Sequence, residues 1–282
     1  MDSESCVVFG QFPFVHRGHT KLFEALPMFA AAIGFGCHLE PVVCVLRPPK
    51  EFYWNTKDEV DTMLGAYGLT PYWIEEESFV HGFFQDVLLS KLHAKAIVTD
   101  EGNPALARIT EEAERLGIQG LAIDPEMENG ERIDEAMIEK AFKKADFPLV
   151  SKLCGHAFSM DGVVVHGKAL GRKVGMPTAN LRIDPQKRIP PFGVYETTVT
   201  IPTDSAESST YKAVTNVGTR PTVDAEERIS IEAHILDFNE DIYGKTISIA
   251  FDRFIRPIRK FADLSEVKNQ VRQDIVTIAK SV

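Results

Sequence analysis

From residue 157 to residue 254 the sequence carries five strand-like runs and no helix-periodic segment between them. The runs are Val163–Val165, Gly193–Ile201, Tyr211–Val217, Ile229–Ile235 and Thr246–Phe254, and Glu207-Ser208-Ser209 reads as a polar hairpin tip. Parallel strands need long crossovers, usually helical, and none is available here. The strands must therefore pair antiparallel, and closure into a β-barrel removes the exposed edges. After the barrel, Leu264 to Lys280 places Leu264, Val267, Val271, Ile275 and Ile278 at helical spacing, which predicts a terminal helix with one face on the barrel.

The first half follows another pattern. Cys6–Phe9 is a short apolar strand ending at Gly10, and His16-Arg17-Gly18-His19 comes shortly after it. Thr20 to Ala32 has Leu22, Phe23, Leu26 and Phe29 at helical spacing, with Thr20 as a cap and Pro27 as an expected interruption or kink. Strand, loop and helix start together make an anion site. Pro41–Leu46 is a continuous apolar strand suited to burial on both faces. Helices are predicted over Lys57–Tyr67 and Phe83–Leu92, and strands over Leu69–Ile74, Lys95–Thr99 and Gln119–Ile123. Asn103-Pro104 opens a helix to about Gly117, and Asp134 caps another to about Ala145. This alternation predicts a Rossmann-like, doubly wound α/β sheet. Asp146-Phe147-Pro148 is a break, with a short helical turn over Leu149–Cys154 after it, so the expected domains are 1–148 and 149–282.

The chemistry concentrates in Asp161–Leu181, DGVVVHGKALGRKVGMPTANL. Gly162, Gly167 and Gly171, with Lys168, Arg172 and Lys173, read as a loop that brings backbone amides and cations close to an anion. Thr178 and Asn180, two apart in extended chain, share a face and offer oxygen ligands to a hard cation such as Mg²⁺ together with phosphate oxygens. The plainer alternative is a glycine-rich hairpin with a proline turn. Further on, Glu232 and His234 share a strand face; a solvated outward glutamate is the ordinary alternative there.

A net charge of −10 argues against a general nucleic-acid binder, though it leaves room for a local pocket that binds a nucleotide. Cys6, Cys37, Cys44 and Cys154 form no CxxC pair and read as free or buried thiols of a reducing cytosol. No apolar run is long enough for a membrane span, and the acidic start MDSESCVVFGQF lacks the basic region of a leader, so a cytoplasmic protein is expected.

Pro177-Thr178-Ala179-Asn180 after the glycine-rich run resembles the signature of riboflavin kinases. Gly193-Val194-Tyr195, Asn216-Val217-Gly218 with Pro221-Thr222, and Ile231-Glu232 with His234 and Phe238 resemble that family's later motifs. His16-Arg17-Gly18-His19 has the HxGH form of nucleotidyltransferases, and the order of the two halves is similar to the bifunctional bacterial riboflavin kinase/FAD synthetase family. The resemblance implies a nucleotidyltransferase-type α/β domain followed by a kinase barrel that phosphorylates riboflavin to FMN with ATP and Mg²⁺. It makes Glu232 the general base and counts Asn180 with it as catalytic. Thr178 and Asn180 would hold the metal. Gly162, Gly167, Lys168, Gly171, Arg172 and Pro177 would hold the phosphates, and His166 is either a nucleotide contact or structural. It places a flavin-contacting region around Arg256 and Arg259 without saying which contacts the ring, and leaves His16 and His19 as a residual nucleotide site.

Apart from Met176, where the family usually has phenylalanine, the departures lie in the first half. Phe12-Pro13-Phe14 stands where the family has Phe-Asp-Gly, and Asp100-Glu101-Gly102 leads into a helix without the family's arginine-phenylalanine-glycine loop. Ile133-Asp134-Glu135-Ala136-Met137-Ile138-Glu139 replaces a run of serines, threonine and arginine at a helix start. Acids there repel a triphosphate, so FAD synthesis is expected to be lost or much weakened. Two alternatives stay open: a fully bifunctional enzyme, and a non-catalytic flavin or nucleotide sensor. With FAD synthesis lost, the first domain would serve self-association or stabilise the barrel.

Overall fold

The computed structural model describes residues 3–33, 39–47, 53–75, 82–167, 175–203, 208–221 and 227–279. The chain divides into two compact units, Met1–Met137 and Ile138–Val282.

The first unit is built on five parallel strands, β1 (Ser5–Gly10), β2 (Glu40–Arg47), β3 (Thr70–Glu75), β4 (Ala94–Asp100) and β5 (Gln119–Ile123), in the order β3-β2-β1-β4-β5. Alternate residues of the central strands feed two cores. Cys6, Val8, Val43 and Val45 pack with helix α1 (Arg17–Ile33), while Val7, Val42, Cys44 and Ile97 pack with Leu88, Leu92 and Ile109 on the other face. The expected doubly wound sheet is present. Burial pushes the Cys6, Cys44 and Cys154 thiols up to about 12, so they remain protonated; Cys37 lies outside the described residues.

Several local expectations need correction. Helix α1 begins at Arg17, and Thr20 lies inside it, its hydroxyl donating to the Arg17 carbonyl at 3.0 Å. Pro27 sits within α1 without interrupting it, because burial of Leu22, Phe23, Leu26 and Ala30 outweighs the lost hydrogen bond. Helix α2 (Lys57–Ala66) has a capping box, Thr56 with Glu59. Phe83–Leu89 is a π-helix, in which the neighbouring Phe83 and Phe84 rings both pack on Phe9. Helix α3 (Leu106–Arg115) starts after Asn103-Pro104; the Asn103 carboxamide instead closes a turn, accepting from the Ala105 amide at 2.9 Å and donating to the Thr99 hydroxyl at 3.0 Å. A small hairpin, β6 (Met127–Glu128) and β7 (Glu131–Arg132), turns through Asn129 and Gly130, both at positive φ. Helix α4 (Glu135–Lys143) is capped as expected by Asp134, which accepts from the Met137 amide at 2.8 Å.

The second unit is a closed six-stranded barrel. Strands β8 (Ser159–Val165), β9 (Ala179–Ile183), β10 (Gly193–Pro202), β11 (Ser208–Pro221), β12 (Glu227–Ile235) and β13 (Thr246–Arg256) run in the order β10-β11-β12-β9-β8-β13, and each described pair is antiparallel. Ser208 and Ser209, expected at a hairpin tip, belong to β11, and Glu207 lies outside the described residues. Thr197, Val199, Ala213, Thr215, Ile231 and Ala233 are buried, so their alternating neighbours, Glu232 and Asn216 among them, face outward. Helix α5 (Phe147–Cys154), capped by Asp146 with Pro148 in its first turn, brings Phe147 against Phe158, Tyr195 and Phe251 at 5.3 to 5.9 Å. The terminal helix α6 (Leu264–Ala279) packs Ile275 and Ile278 with Val194 and Val214 on the outer barrel wall. Asp263 caps it, accepting from the Ser265 and Glu266 amides. No described helix is long and apolar enough to cross a membrane.

Phe147 is fully buried at the centre of the aromatic cluster. Phe147→Ala should lower the unfolding free energy of the second unit by about 3–5 kcal/mol in a denaturant titration, the cost of a large aromatic cavity. A loss below about 1 kcal/mol would mean that the cluster does not hold the barrel.

Candidate active site

Strand pairing assembles the site. Asn180 on β9 pairs with Glu232 on β12, which pairs with Asn216 on β11. Asn216 in turn pairs with Val194 on β10, and Val194 with Arg256 on β13. Directly opposed residues on neighbouring strands project to the same side of a sheet, so these form one belt on the barrel's outer wall.

A cavity of about 350 Å³ lies over this belt. Val194, Val214, Asn216, Glu232 and His234 line its barrel side. The opposite side comes from Ile258, Arg259 and Phe261 after β13, and from Val267, Val271 and Asp274 on α6. Val194, Val214, Ile258, Phe261, Val267 and Val271 make much of its lining apolar. The Ser230 hydroxyl donates to Glu232 Oε1 at 3.1 Å. His234 Nδ1 donates to the Pro177 carbonyl at 2.8 Å and so ties β12 to the segment before β9.

A second cavity, about 570 Å³, is lined by Gly175, Pro177, Thr178 and Ala179, by Val164, Ala233 and Ile235, and by residues 238–243. Thr178 alone lines both cavities. The two spaces therefore share Thr178, two residues before Asn180 on the chain. Asn180 is buried, and its Nδ2 lies 3.4 Å from the Thr178 carbonyl. A Cβ at Gly167 would fall 2.4 Å from that same nitrogen, so only glycine there leaves room for the Asn180 carboxamide. The His166 ring lies 3.8 Å from that of Tyr243, on the wall of the larger cavity.

Other candidates fall elsewhere. Gly162 is buried in β8, where a side chain would meet Leu181, Ile183 and the Arg182 carbonyl, and it lines neither cavity. Lys168, Gly171 and Arg172 lie outside the described residues. Arg256 and Arg259 both line the smaller cavity, but in different ways. Arg256 Nε and Nη2 donate to the buried Asp274 carboxylate at 2.9 to 3.2 Å, and Gln270 donates to the same group at 2.8 Å. Arg259 lies over the Phe261 ring at 4.7 Å and is exposed. Asp274, Gln270 and the 238–243 loop were not among the expected site residues. Only contact across distant segments marks them.

In the first unit, His16 and His19 stack at 3.7 Å at the start of α1. The Gly18 amide donates to His16 Nδ1 at 3.1 Å, and His19 Nδ1 donates to the Phe14 carbonyl at 2.8 Å. Burial pushes His16 down to about 4 and His19 well below the usual imidazole range, so both are neutral near pH 7. Phe12 packs edge-on against His19 at 4.9 Å. The nearby cations are paired: Arg132 with Asp100 at 2.9 and 3.0 Å, and Arg17 with Glu126 and, at 3.1 Å, Glu128. Burial, and next to it the charge of Asp134, raises the pKa of Glu135.

Residues 154–282 match the family model described as Flavokinase, riboflavin kinase. A bifunctional riboflavin kinase/FMN adenylyltransferase of Pseudomonas fluorescens is 33% identical over 52% of this chain, an alignment that covers 45% of that protein. Proteins of the same description from Escherichia coli K12 and Bacillus subtilis are 28% and 27% identical, over 97% and 96% of this chain and 92% and 90% of their own lengths. The crystal structure of a Streptococcus pneumoniae protein described as a macrolide-efflux protein has a TM-score of 0.81 and 26% identity, and covers 97% of this chain and 93% of that one.

The pair of Arg256 and the buried Asp274 holds α6 as the outer wall of the smaller cavity. Asp274→Asn leaves the partly buried guanidinium without its counter-charge, and should lower unfolding stability by about 1–3 kcal/mol in denaturant melts. An unchanged midpoint would show that the apolar contacts of α6 suffice.

Proposed function

We propose that the chain belongs, through residues 154–282, to the riboflavin kinase family whose model those residues match, and that its two cavities divide the work of that reaction. The protein is a riboflavin kinase, transferring the γ-phosphoryl group of ATP to the ribityl 5′-hydroxyl of riboflavin and yielding FMN and ADP. The observation that carries the site assignment is that Thr178 lines both cavities while Glu232, in register with Asn180, lines one of them. The smaller slot, walled by Val194, Val214, Val267, Val271 and Phe261, suits a flat apolar ring system with a polyol tail. The larger cavity takes the nucleotide, with its phosphates at Thr178.

Glu232 accepts the proton of the 5′-hydroxyl as that oxygen bonds to the γ-phosphorus, and the bond to the β–γ bridging oxygen breaks to release ADP. Burial of Asn180 beneath Gly167 fixes its carboxamide next to the reacting groups. Mg²⁺ fits this donor set. Among the described residues no group of three His, Cys, Asp or Glu side chains stands ready to hold a metal. Mg²⁺ characteristically takes one or two protein oxygens together with substrate phosphates, and Thr178 and Asn180 supply such oxygens. When bound, the ion neutralises phosphate charge.

In the first unit, on this reading, FAD synthesis is lost or much weakened. Asp134 is committed to capping α4, Glu135 stands beside it, and the Arg17 and Arg132 guanidiniums are already paired with carboxylates. A triphosphate arriving there would meet like charge and find no uncommitted cation among these groups.

Two experiments follow. Glu232→Ala should lower kcat for FMN formation about 100- to 10,000-fold while riboflavin affinity stays within a few-fold; turnover near wild type would remove Glu232 as the base and favour a binding protein. FMN, ATP and Mg²⁺ incubated with the wild-type chain should give little or no enzymatic FAD by chromatography. FAD formed at a rate comparable to FMN formation would show the bifunctional reading to be correct.

A further inference from the structure

The belt on the outer wall contains one polar side chain that serves neither the mechanism above nor the clamp of Arg256 on α6. Asn216 sits directly beside Glu232, on the side away from Asn180, and lines the smaller cavity. The other polar groups around it are engaged. Arg256 and Asp274 bind one another, His234 holds the Pro177 carbonyl, and Glu232 receives the Ser230 hydroxyl. The Asn216 carboxamide makes no hydrogen bond to a described residue, although it is half-buried and its in-register neighbour Val194 is buried against α6. A donor–acceptor group held in a mostly apolar slot is costly to leave unmatched, and is matched when a bound hydroxyl supplies both partners.

Position indicates which hydroxyl. Neighbouring strands stand about 4.8 Å apart. Glu232 must reach the terminal 5′-oxygen near Thr178, so a group one strand further from Asn180 meets the polyol chain nearer the ring. We propose that Asn216 is a specificity-determining residue that reads the secondary hydroxyls in the middle of the ribityl chain. This rests on the riboflavin kinase reading. Asn216 donates through Nδ2 and accepts through Oδ1, so it fixes the rotation of the chain and presents the terminal oxygen to Glu232. It selects a polyol tail over an alkyl or deoxy tail on the same flavin ring.

The test compares wild type and Asn216→Ala on riboflavin and on a flavin analogue whose ribityl chain lacks its middle hydroxyl. FMN-type product is followed by chromatography, and ligand binding by quenching of flavin fluorescence. The wild type should prefer riboflavin to the analogue by roughly ten-fold in kcat/KM, the worth of one matched hydrogen bond. Asn216→Ala should weaken riboflavin by a similar factor and treat the two flavins alike, with an unchanged thermal midpoint because the side chain holds no protein partner. A conservative Asn216→Ser variant should regain part of the discrimination. The inference is overturned if Asn216→Ala keeps the wild-type preference, or if all variants lose binding of both flavins equally. Wild-type turnover of riboflavin in either case leaves the kinase reading standing; its absence, with riboflavin still bound, would overturn both.

Discussion

The structure depends on the register of three strands. Because side chains alternate along a strand, a slip of one residue in β12 against β9 or β11 would send Glu232 into the barrel and Ile231 or Ala233 out of it. That exchange would bury a carboxylate among Thr197, Thr215 and Phe251 and expose apolar surface. Inward packing therefore fixes outward chemistry: Ile231 at 2% and Ala233 at 0% exposure are what hold Glu232 in the cavity wall. Closure of the barrel reinforces this, since every strand has two neighbours and no free edge along which to shift.

Charge is used locally. The chain carries −10 overall, yet its proposed ligands are anionic or neutral. Several of the described arginines near candidate sites serve architecture. Arg256 clamps α6 through Asp274, Arg253 binds Glu196 at 2.5 Å on the barrel wall, and Arg132 and Arg17 meet carboxylates within the first unit. In the second unit the proposed nucleotide site centres on the segment around Thr178. In the first unit, neutral stacked histidines among paired cations make a poor partner for phosphates. The fold is retained there, and these paired charges are the ground on which loss of adenylyl transfer is proposed.

Much of the architecture could be read from the sequence, because it is carried by periodicity. Alternating strands and helices gave the parallel sheet, and strand runs without helices gave the barrel. Asp134 announced its helix as a cap, whereas Asp146, read as part of a break, proves to cap α5. Local competition explains the misses. Asn103 can cap a helix or close an Asx turn, and the bond to Thr99 decides for the turn. The π-helix depends on two phenylalanines reaching one partner on β1, which no local spacing displays. The Asn129-Gly130 turn was a strong hairpin signal, obscured by strands only two residues long. Within the site, spacing suggested that Thr178 and Asn180 share a face, and Glu232 and His234 likewise. What sequence cannot show is which strands are neighbours. Asn216 beside Glu232, Asp274 behind Arg256 and the wall at 238–243 emerge only from tertiary pairing.

The central claim is geometric, and a crystal structure of the chain with riboflavin, Mg²⁺ and a non-hydrolysable ATP analogue tests it most directly. The account predicts the isoalloxazine ring between the barrel wall and α6, the 5′-oxygen within hydrogen-bond reach of the Glu232 carboxylate, and the γ-phosphate beside Thr178. A flavin bound away from Glu232, or a nucleotide whose γ-phosphate lies far from Thr178, would contradict it.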